Sequence, residues 1–499
     1  MSHIPVLIIV IPLCGAVLCP AVSYINPFMG KRTVISCLFA AFVLASVQLV
    51  NIVKTGETVH YWLGGWAPPY GIEFVIDGVS GIIIVLIAFI GTMTALFSSP
   101  FEEVNPSHRF KTEGYYSILC FLVIGLLGIS STGDAFNMYV FMEIVALSGY
   151  GLIAIGEEKG PIAAFRYLLT GTIGTCMYLL GVGFVYSATG TLNMADMALR
   201  LRDVENMQII LLAASYMLVG FGIKMALFPL HGWQPAAHSY AHPAADPMIA
   251  GVMLKIPAYG MMRFFFCIFG EQNRVIDAML TIVGIMAVLG ILFGSLKALR
   301  YSKYNKILAY SSIGQIGYIA LGISLGNFYG LVGAVLHILS HAFMKTGLFY
   351  TSAALKYKYD IHNTDELGQV YRKMPVTSAA MVALSLSMIG LPPFAGFFSK
   401  WYLALGAIEN GQYFYVAVLI ISSLLSAIYF FRIFEKMFMG EDKNLHDKYP
   451  AENHGGKEVP LRMLIPVFIT AAMVVLLGLG NAFIVNNVLE ITVMEVFLG

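Results

Sequence analysis

The stretch KMALFPLHGWQPAAHSYAHPAADPMIAGVMLK, residues 224–255, begins and ends with a lysine inside apolar sequence. It also contains four prolines and three histidines, namely Pro229, Pro235, Pro243, Pro247, His231, His238 and His242. Membrane helices rarely contain charges or breaks unless these groups are paired or lie along a polar path. The composition of the whole chain decides whether this stretch lies in a membrane.

The chain has too few charged residues for a soluble protein. Its 499 residues are 58% hydrophobic and 11% charged, with a mean hydropathy of +0.79. Soluble domains contain about 25% charged residues, so this chain could not cover a surface in water. The net charge of +1 argues against nucleic acid as a partner. The six cysteines lie in apolar runs without a C-x-x-C pair, which favours packing over disulfide or metal roles.

A membrane-spanning helix needs about 20 mainly apolar residues. On this criterion the sequence predicts an all-α protein with fourteen helices, near residues 4–25, 33–53, 77–99, 114–132, 134–156, 160–187, 207–229, 243–267, 274–298, 304–324, 328–354, 375–408 (broken), 413–434 and 462–485. The first helix lacks the basic start and cleavage site of a signal peptide, so we expect it to be retained. The longest polar loop, residues 434–459, is too short to fold alone.

Lysine and arginine are distributed unevenly among the loops. Twenty of the 29 lie in or beside the loops that follow predicted helices 1, 3, 5, 7, 9, 11 and 13, whereas four lie in the other loops and the termini. Cytoplasmic loops carry the excess of basic residues. Both termini are therefore expected to face away from the cytoplasm.

Five basic residues remain inside the predicted helices: Lys224, Lys255, Arg263, Lys345 and Lys400. Arg263 lies near a helix end, and we expect it to snorkel to the interface. A lysine at the centre of a membrane helix costs about 2.5–3.5 kcal/mol. The four lysines are therefore expected to be paired, solvated or inside the helix bundle.

Glu143 is the acid best placed to balance these bases. It lies nine residues after Asp134, where predicted helix 5 begins, and therefore about 13.5 Å into a membrane core about 30 Å thick. A structural ion pair that fixes helix packing would also explain a buried carboxylate. The number of buried bases favours a functional one.

Prolines interrupt two predicted helices beside two of these lysines. Pro229 follows Lys224, whereas Lys400 follows Pro392 and Pro393. This mirrored order is what an inverted-topology repeat would produce, with helices 4–8 matching helices 9–13, and broken helices often mark a transport site. We therefore divide the chain into the first three helices, two repeats, and a last helix with its loop and tail, at residues 1–112, 113–267, 268–438 and 439–499.

Predicted helix 11 contains HILSHAFMK, which places His337, His341 and Lys345 on one helix face. Histidine exchanges protons near neutral pH, so this spacing favours a proton relay over packing roles. Metal binding by His337 and His341, or by His238 and His242, is the weaker alternative. No acidic or thiol ligand accompanies either pair, and no metal is expected.

Four segments carry a family resemblance: TGDAFNMYVFMEI (132–144), KMALFPLHGWQPAAHSYAHP (224–243), HILSHAFMK (337–345) and LPPFAGFFSKW (391–401). Together they resemble the antiporter-like subunits of respiratory complex I, membrane-bound hydrogenases and Mrp-type cation/proton antiporters. The length and the TGDAFN segment are most similar to the D subunit of an Mrp-type antiporter or its hydrogenase counterpart. Many relatives have a leucine and an acidic residue where this chain has Gln234 and Ala236, and Asp246-Pro247 follows instead.

The resemblance implies two inverted five-helix repeats in a prokaryotic cytoplasmic membrane, with several membrane subunits as partners. It implies a proton path through Glu143, Lys224, Lys255, His337, His341 and Lys400. Accessory candidates for proton transfer are Lys345, His231, His238, His242 and Asp246.

The favoured function is proton transfer within an Mrp-type antiporter that exchanges H+ for Na+ or K+. The alternative is the proton-pumping membrane subunit of a redox-driven complex, and a solitary secondary transporter is more remote. The chain lacks a Gly-rich dinucleotide loop, a cysteine cluster and paired haem histidines, so no cofactor is expected in it. A purely structural scaffold is disfavoured by the buried lysines.

Overall fold

The computed structural model describes residues 3–102, 109–270, 273–441, 458–494 and 497. Its membrane helices, labelled α1 to α14 in chain order, are Ile4–Ile25, Pro27–Thr55, Gly78–Ser98, Arg109–Ser131, Ala135–Ala154, Gly160–Thr189, Met207–Lys224, Asp246–Ile268, Asn273–Ala298, Tyr304–Leu325, Phe328–Tyr359, the broken pair Pro375–Ile389 (α12a) and Ala395–Glu409 (α12b), Tyr413–Met439 and Leu461–Leu479. Most of the polar loop 434–459 lies outside the described residues.

Thirteen described helices are long and apolar enough to cross a membrane, which confirms the all-helical, multi-pass prediction. The remaining membrane helix, α12, is interrupted after Ile389, and each of its two parts has 15 residues. Gly390 adopts a φ of 90°, a conformation that suits glycine, and Pro392 and Pro393 follow it. The prolines cannot continue the hydrogen-bonding pattern, so the break falls where the sequence predicted it.

Helix α7 ends earlier than the sequence predicted. We placed its end at Pro229, but the helix ends at Lys224, and Ala226 adopts a φ of 57°. A proline clashes with the preceding turn and disfavours helical geometry at Phe228, so the distortion extends back from Pro229. Lys224 is therefore the last residue of the helix, and a short helix, Gln234–Tyr240, follows the break.

Helix α8 is irregular, which the sequence pattern did not predict. Residues Ile249–Met253 and Arg263–Ile268 form π-helical turns, and the helix is interrupted at Leu254 and Lys255. Pro257 lacks the backbone N–H that a continuous helix needs at this point. Lys255 consequently lies at an interruption in the middle of the span.

Helix α11 is the centre of the bundle, and residues 330–355 are all buried. Helices α10, α12 and α14 and the first turns of α8 pack around it. The outer faces of α1, α2, α6 and α13 expose large apolar side chains such as Val17, Phe39, Ile173 and Leu424. Such faces suit contact with lipid.

Outside the membrane helices, strands Val59–Trp62 (β1) and Glu73–Ile76 (β2) form an antiparallel hairpin. A short helix, Met194–Leu201, lies between α6 and α7. The inverted repeats and the domain boundaries at residues 112, 267 and 438 stay predictions.

Candidate functional site

Lys224 ends α7 with its side chain buried, and its Nζ makes no hydrogen bond with any described residue. The carboxylate of Glu143, half-buried on α5, lies within electrostatic range of this amine. Trp233, which follows the break, packs back against the end of α7. Its Nε1 donates to the carbonyl of Ile223 at 2.9 Å, and its ring stacks on Tyr167 with centroids 3.8 Å apart. The amine and the carboxylate are thus neighbours rather than a hydrogen-bonded pair.

Lys255 is fully buried at the interruption of α8. Its Nζ donates to the carbonyl of Ala250. Its charge acts on three side chains of α11, those of His337, His341 and Lys345. Lys255 therefore links α8 to the titratable face of the central helix.

His337 and His341 share one face of α11, as their spacing predicts, and their rings stack with centroids 5.7 Å apart. Nδ1 of His337 lies 2.9 Å from Oγ of Ser399, and Nε2 lies 3.0 Å from Oε1 of Gln315. Neither ring nitrogen of His341 has a hydrogen-bond partner among the described residues. His337 is therefore held in place, whereas His341 keeps both nitrogens available for water or a proton.

Lys345, the third predicted member of this face, turns toward α10. Its Nζ donates to the carbonyl of Leu308 at 2.7 Å and to Oγ of Ser311 at 2.5 Å. Both acceptors are neutral, so no described residue that is hydrogen-bonded to this amine neutralises the charge of its ammonium form.

Lys400 lies on α12b, next to the break in α12. Its Nζ donates to the carbonyls of Met388 and Ile389 at 3.1 and 3.0 Å and to Oγ of Ser423 at 3.0 Å. The amine also lies 4.9 Å from the ring centroid of Tyr318, and the Tyr318 ring packs against that of His337 in a T-shaped arrangement with centroids 5.3 Å apart. The carbonyls at the end of α12a form a favourable place for a cation, since the helix dipole is negative there.

His238 and Asp246 form a second buried group beside the α7 break. His238 is on the short helix after the break, and Asp246 is the first residue of α8. Nδ1 of His238 lies 2.5 Å from Oδ1 of Asp246, and Nε2 has no partner among the described residues. The His238 ring packs against Phe349 of α11 at 5.3 Å.

The other two histidines of this stretch lie among aromatic rings. His231 lies between Phe228 and Phe293, at 5.3 and 5.0 Å. Nδ1 of His242 accepts a hydrogen bond from the backbone N–H of Ala244 at 3.2 Å. Burial, with a smaller effect of a nearby lysine, lowers the pKa of His242 to about 4. His242 is therefore neutral at physiological pH.

Arg263 has a partner that the sequence did not predict, because its side chain is paired within the protein. It forms an ion pair with Asp77, the residue that caps the start of α3, and the Asp77 side chain is only 3% exposed. The guanidinium also lies over the rings of Tyr259 and Phe497, at 5.4 and 5.7 Å. A partner 186 residues away in the sequence cannot be found from local spacing.

Sequence reasoning missed the neutral polar side chains that hold these bases. Gln315, Ser311 and Tyr318 all lie on α10, in the segment YSSIGQIGY. Ser399 precedes Lys400, and its hydroxyl contacts His337. Buried polar side chains in an apolar helix are the signal that could have identified them.

The described residues contain no group of three or more His, Cys, Asp or Glu side chains arranged to hold a metal ion. The site instead combines one carboxylate with three lysines and two histidines, namely Glu143, Lys224, Lys255, Lys400, His337 and His341, and the group formed by His238 and Asp246 lies beside it. These are groups that can bind and release protons.

Comparison with known proteins identifies the family. The sequence profile of a family described as NADH:quinone oxidoreductase/Mrp antiporter, TM, matches residues 132–426, more than half of the chain. The chain belongs to this family. The resemblance carried by the four sequence segments is therefore confirmed.

Two relatives in the family differ in the complexes that their names indicate. NADH-quinone oxidoreductase subunit N of Desulforudis audaxviator is 40% identical over 98% of each chain. A Staphylococcus aureus protein named as antiporter subunit mnhD2 is 30% identical over 92% of this chain and 88% of its own length. The higher identity favours the redox-complex alternative over the Mrp context that the sequence alone favoured.

Solved structures of the family have the same fold. A chain of the archaeal membrane-bound sulfane sulfur reductase, a respiratory membrane complex, has a TM-score of 0.88 at 30% identity, covering 98% of this chain and 96% of its own. A chain of the Mrp complex from Dietzia has a TM-score of 0.86 at 25% identity, covering 99% and 97%. A chain of complex I from Thermus thermophilus, at 20% identity and a TM-score of 0.81, shares the fold over 98% of each chain.

Proposed function

We propose that this chain is the proton-translocating membrane subunit of a redox-driven, multisubunit complex in a prokaryotic cytoplasmic membrane. The proposal departs from the Mrp context because the 40% identical relative is an NADH-quinone oxidoreductase subunit. A structure at 30% identity also belongs to an archaeal respiratory complex. In this proposal other subunits carry out electron transfer, and this chain moves protons.

The observation that carries the proposal is a line of buried bases through the bundle. Lys255 lies within electrostatic range of His341, His341 of His337, and His337 of Lys400, with Lys224 at the α7 break. Lys255 and Lys400 have no acidic partner among the described contacts. Burying such amines is costly, so packing alone does not account for the line. The unpartnered Nζ of Lys224 and the ring nitrogens of His341 offer hydrogen bonds that water can complete.

Glu143 controls when Lys224 gives up its proton. Burial disfavours a charged amine, and a nearby carboxylate favours it. Lys224 therefore holds its proton while Glu143 is close and ionised, and passes it toward Lys255 when Glu143 moves away or is neutralised. The pair is a two-state element that other subunits of the complex can bias.

From Lys255 the proton passes to the available nitrogens of His341, then to His337 and Lys400. Lys400 can retain the proton, because three oxygen atoms accept hydrogen bonds from its Nζ. The line thus runs from a loosely held amine at one helix break to a firmly held amine at the other.

We also propose that both termini face away from the cytoplasm, as the charges of the loops indicate. Fusion of alkaline phosphatase to the carboxyl terminus tests this orientation, because the enzyme is active only outside the cytoplasm. We expect an active fusion. An inactive phosphatase fusion paired with a fluorescent green fluorescent protein fusion would contradict the orientation.

The test of the function uses inside-out membrane vesicles and quenching of a pH-sensitive dye, energised with NADH or the electron donor of the co-purified subunits. Lys224→Ala and Glu143→Ala are expected to abolish proton uptake while the complex still assembles. Lys436→Ala is the matched control, since this lysine forms a surface ion pair with Asp365 at 3.4 Å. Normal proton uptake by either Lys224→Ala or Glu143→Ala would contradict the proposal.

A second candidate function is cation/proton exchange in an Mrp-type antiporter. It is supported by the 30% identity to the Staphylococcus protein and by the likeness to the Dietzia complex. In this case a pulse of NaCl or KCl would dissipate a preformed proton gradient in the same vesicles. Subunits that co-purify with this chain would then lack iron–sulfur and flavin centres.

A further inference from the structure

Tyr318 of α10 is fully buried, and its ring contacts two members of the line of bases. Nζ of Lys400 lies over this ring, 4.9 Å from its centroid. The ring of His337 packs against the same ring in a T-shaped arrangement, with centroids 5.3 Å apart. No described hydrogen bond joins His337 to Lys400. The tyrosine ring is therefore a contact that the two bases share.

The contact between the ring and Lys400 acts on one protonation state of the amine. The face of an aromatic ring is electrically negative and attracts a cation within about 6 Å of its centroid. This attraction is stronger where water is excluded, and both side chains are buried. A neutral amine carries no net charge for the ring to attract. The ring therefore favours the ammonium form of Lys400.

The Tyr318 ring is anchored by hydroxyl groups on two neighbouring helices. Its own hydroxyl donates to Oγ of Ser422 on α13 at 2.6 Å. Oγ of Ser422 also lies 3.0 Å from Oγ of Ser295 on α9, which donates to the carbonyl of Ile291 at 2.8 Å. The ring is thus connected to α9 and α13 as well as to its own helix.

The side chain of Lys400 is confined next to this ring. It lies against Gly390 at the break in α12, where a β-carbon would be 3.0 Å from Cδ and 3.3 Å from Nζ of the lysine. The carbonyls of Met388 and Ile389 accept hydrogen bonds from the same Nζ. The amine is therefore held where the ring attracts it.

The titratable groups that face Lys400 in the described contacts are His337 of α11 and Tyr318 of α10. Tyr429 of α13 lies within electrostatic range of Tyr318. Helices α12a and α13 contribute carbonyl oxygens and the hydroxyl of Ser423, and α14 makes no described polar contact with this amine. The ring is thus the described group that favours the charged amine without being a hydrogen-bond acceptor for it.

We propose that Tyr318 is a positioning residue that biases the last transfer of the line toward Lys400 and keeps the proton there. This inference rests on the proposed function and adds a residue that controls one of its steps. In that step the imidazolium of His337 gives up its proton, and the lone pair of Nζ of Lys400 binds it. His337 is then neutral and Lys400 is an ammonium, so charge and protons balance.

The test measures the rate of proton uptake against bath pH in the inside-out vesicles described above, whose cytoplasmic face is in contact with the bath. Tyr318→Leu and Tyr318→Met remove the ring and keep an apolar side chain. Tyr318→Phe keeps the ring and loses the hydroxyl. Tyr301→Leu is the matched control, because the Tyr301 ring lies 5.1 Å from Nζ of Lys306 at the start of α10, away from the line of bases.

We expect the bath pH that gives half-maximal uptake to fall by about one unit in Tyr318→Leu and Tyr318→Met, as the loss of a desolvated cation–π contact would produce. The sign follows from the charge that the ring attracts. Without the ring, Lys400 binds a proton only at a higher proton concentration. Uptake by both variants should approach the unmodified rate in an acidic bath. Tyr318→Phe and Tyr301→Leu should keep the pH profile of the unmodified complex.

An unchanged pH profile in the Leu and Met variants would overturn this role of Tyr318. The same loss of rate at every bath pH would also overturn it, since a packing defect produces that result. A shift in Tyr318→Phe as large as in Tyr318→Leu would assign the effect to the hydroxyl and not to the ring. Failure of both ring-free variants to assemble would assign Tyr318 to folding. If one of the two assembles, it carries the same expectation.

Lys224→Ala, measured in parallel, separates this inference from the proposed function. A block in Lys224→Ala with an unchanged pH profile in Tyr318→Leu would remove the role of Tyr318 and leave the function. Normal uptake in Lys224→Ala would remove the proposed function and the role of Tyr318 with it.

Discussion

Lys224 and Lys400 lie beside the two helix breaks, but only Lys400 is held by hydrogen bonds. Its Nζ has three acceptors at 3.0–3.1 Å, whereas Nζ of Lys224 has none among the described residues. The two lysines are buried to a similar extent, since Lys400 is 8% exposed and Lys224 is 4% exposed. The difference therefore lies in their partners, and it gives the proposed line of bases a direction.

The two lysines are expected to affect stability in opposite directions. Lys224→Met removes a buried amine that has Glu143 within electrostatic range but no hydrogen-bond partner among the described residues, so the assembled complex should withstand heating better. Lys400→Met leaves the carbonyls of Met388 and Ile389 without this donor and should cost about 1–3 kcal/mol. Size-exclusion profiles of detergent-purified complex after heating measure both effects, and shifts in the same direction would contradict this account.

The two histidines of α11 provide a similar contrast. His337→Ala removes the described partner of the Gln315 side-chain oxygen and one of the contacts of Ser399, and it should destabilise the complex by about 1–3 kcal/mol. His341→Ala removes a ring whose nitrogens have no described partner, so its cost is limited to lost packing. Both variants should block proton uptake in vesicles. A stability loss that is larger for His341→Ala would be inconsistent with these contacts.

The ion pair of Arg263 and Asp77 is expected to stabilise the fold without moving protons. Removing one partner of a buried ion pair typically costs about 3–5 kcal/mol because the other charge is left uncompensated. Asp77→Ala should therefore lower the amount of assembled complex, and it also removes the cap of α3. The complex that does assemble should translocate protons at the normal rate per molecule, and a selective loss of transport would contradict this assignment.

The sequence predicted the helices and the buried bases well, because both depend on local composition. The first helix was predicted at residues 4–25 and is observed at Ile4–Ile25. The break in α12 was predicted from Pro392 and Pro393. Burial of Lys255 and Lys400 followed from the cost of a charge in the membrane, and both are buried.

The sequence did not predict contacts between distant parts of the chain. The end of α7 at Lys224 depends on how far the distortion from Pro229 extends, which packing decides. The contact of Asp246 with His238 requires the short helix to fold back against the start of α8. Arg263 was assigned to the interface because its position near a helix end is visible in the sequence, whereas its partner Asp77 is not.

Lys255 provides the most direct test of the central claim that protons move along the buried bases. It is fully buried, and it lies within electrostatic range of both histidines of α11 and of Lys345. Lys255→Met keeps the length of the side chain and removes its capacity to carry a proton. We predict that vesicles with this variant contain the assembled complex but take up no protons when the electron donor is added. Uptake at the rate of the unmodified complex would contradict the account.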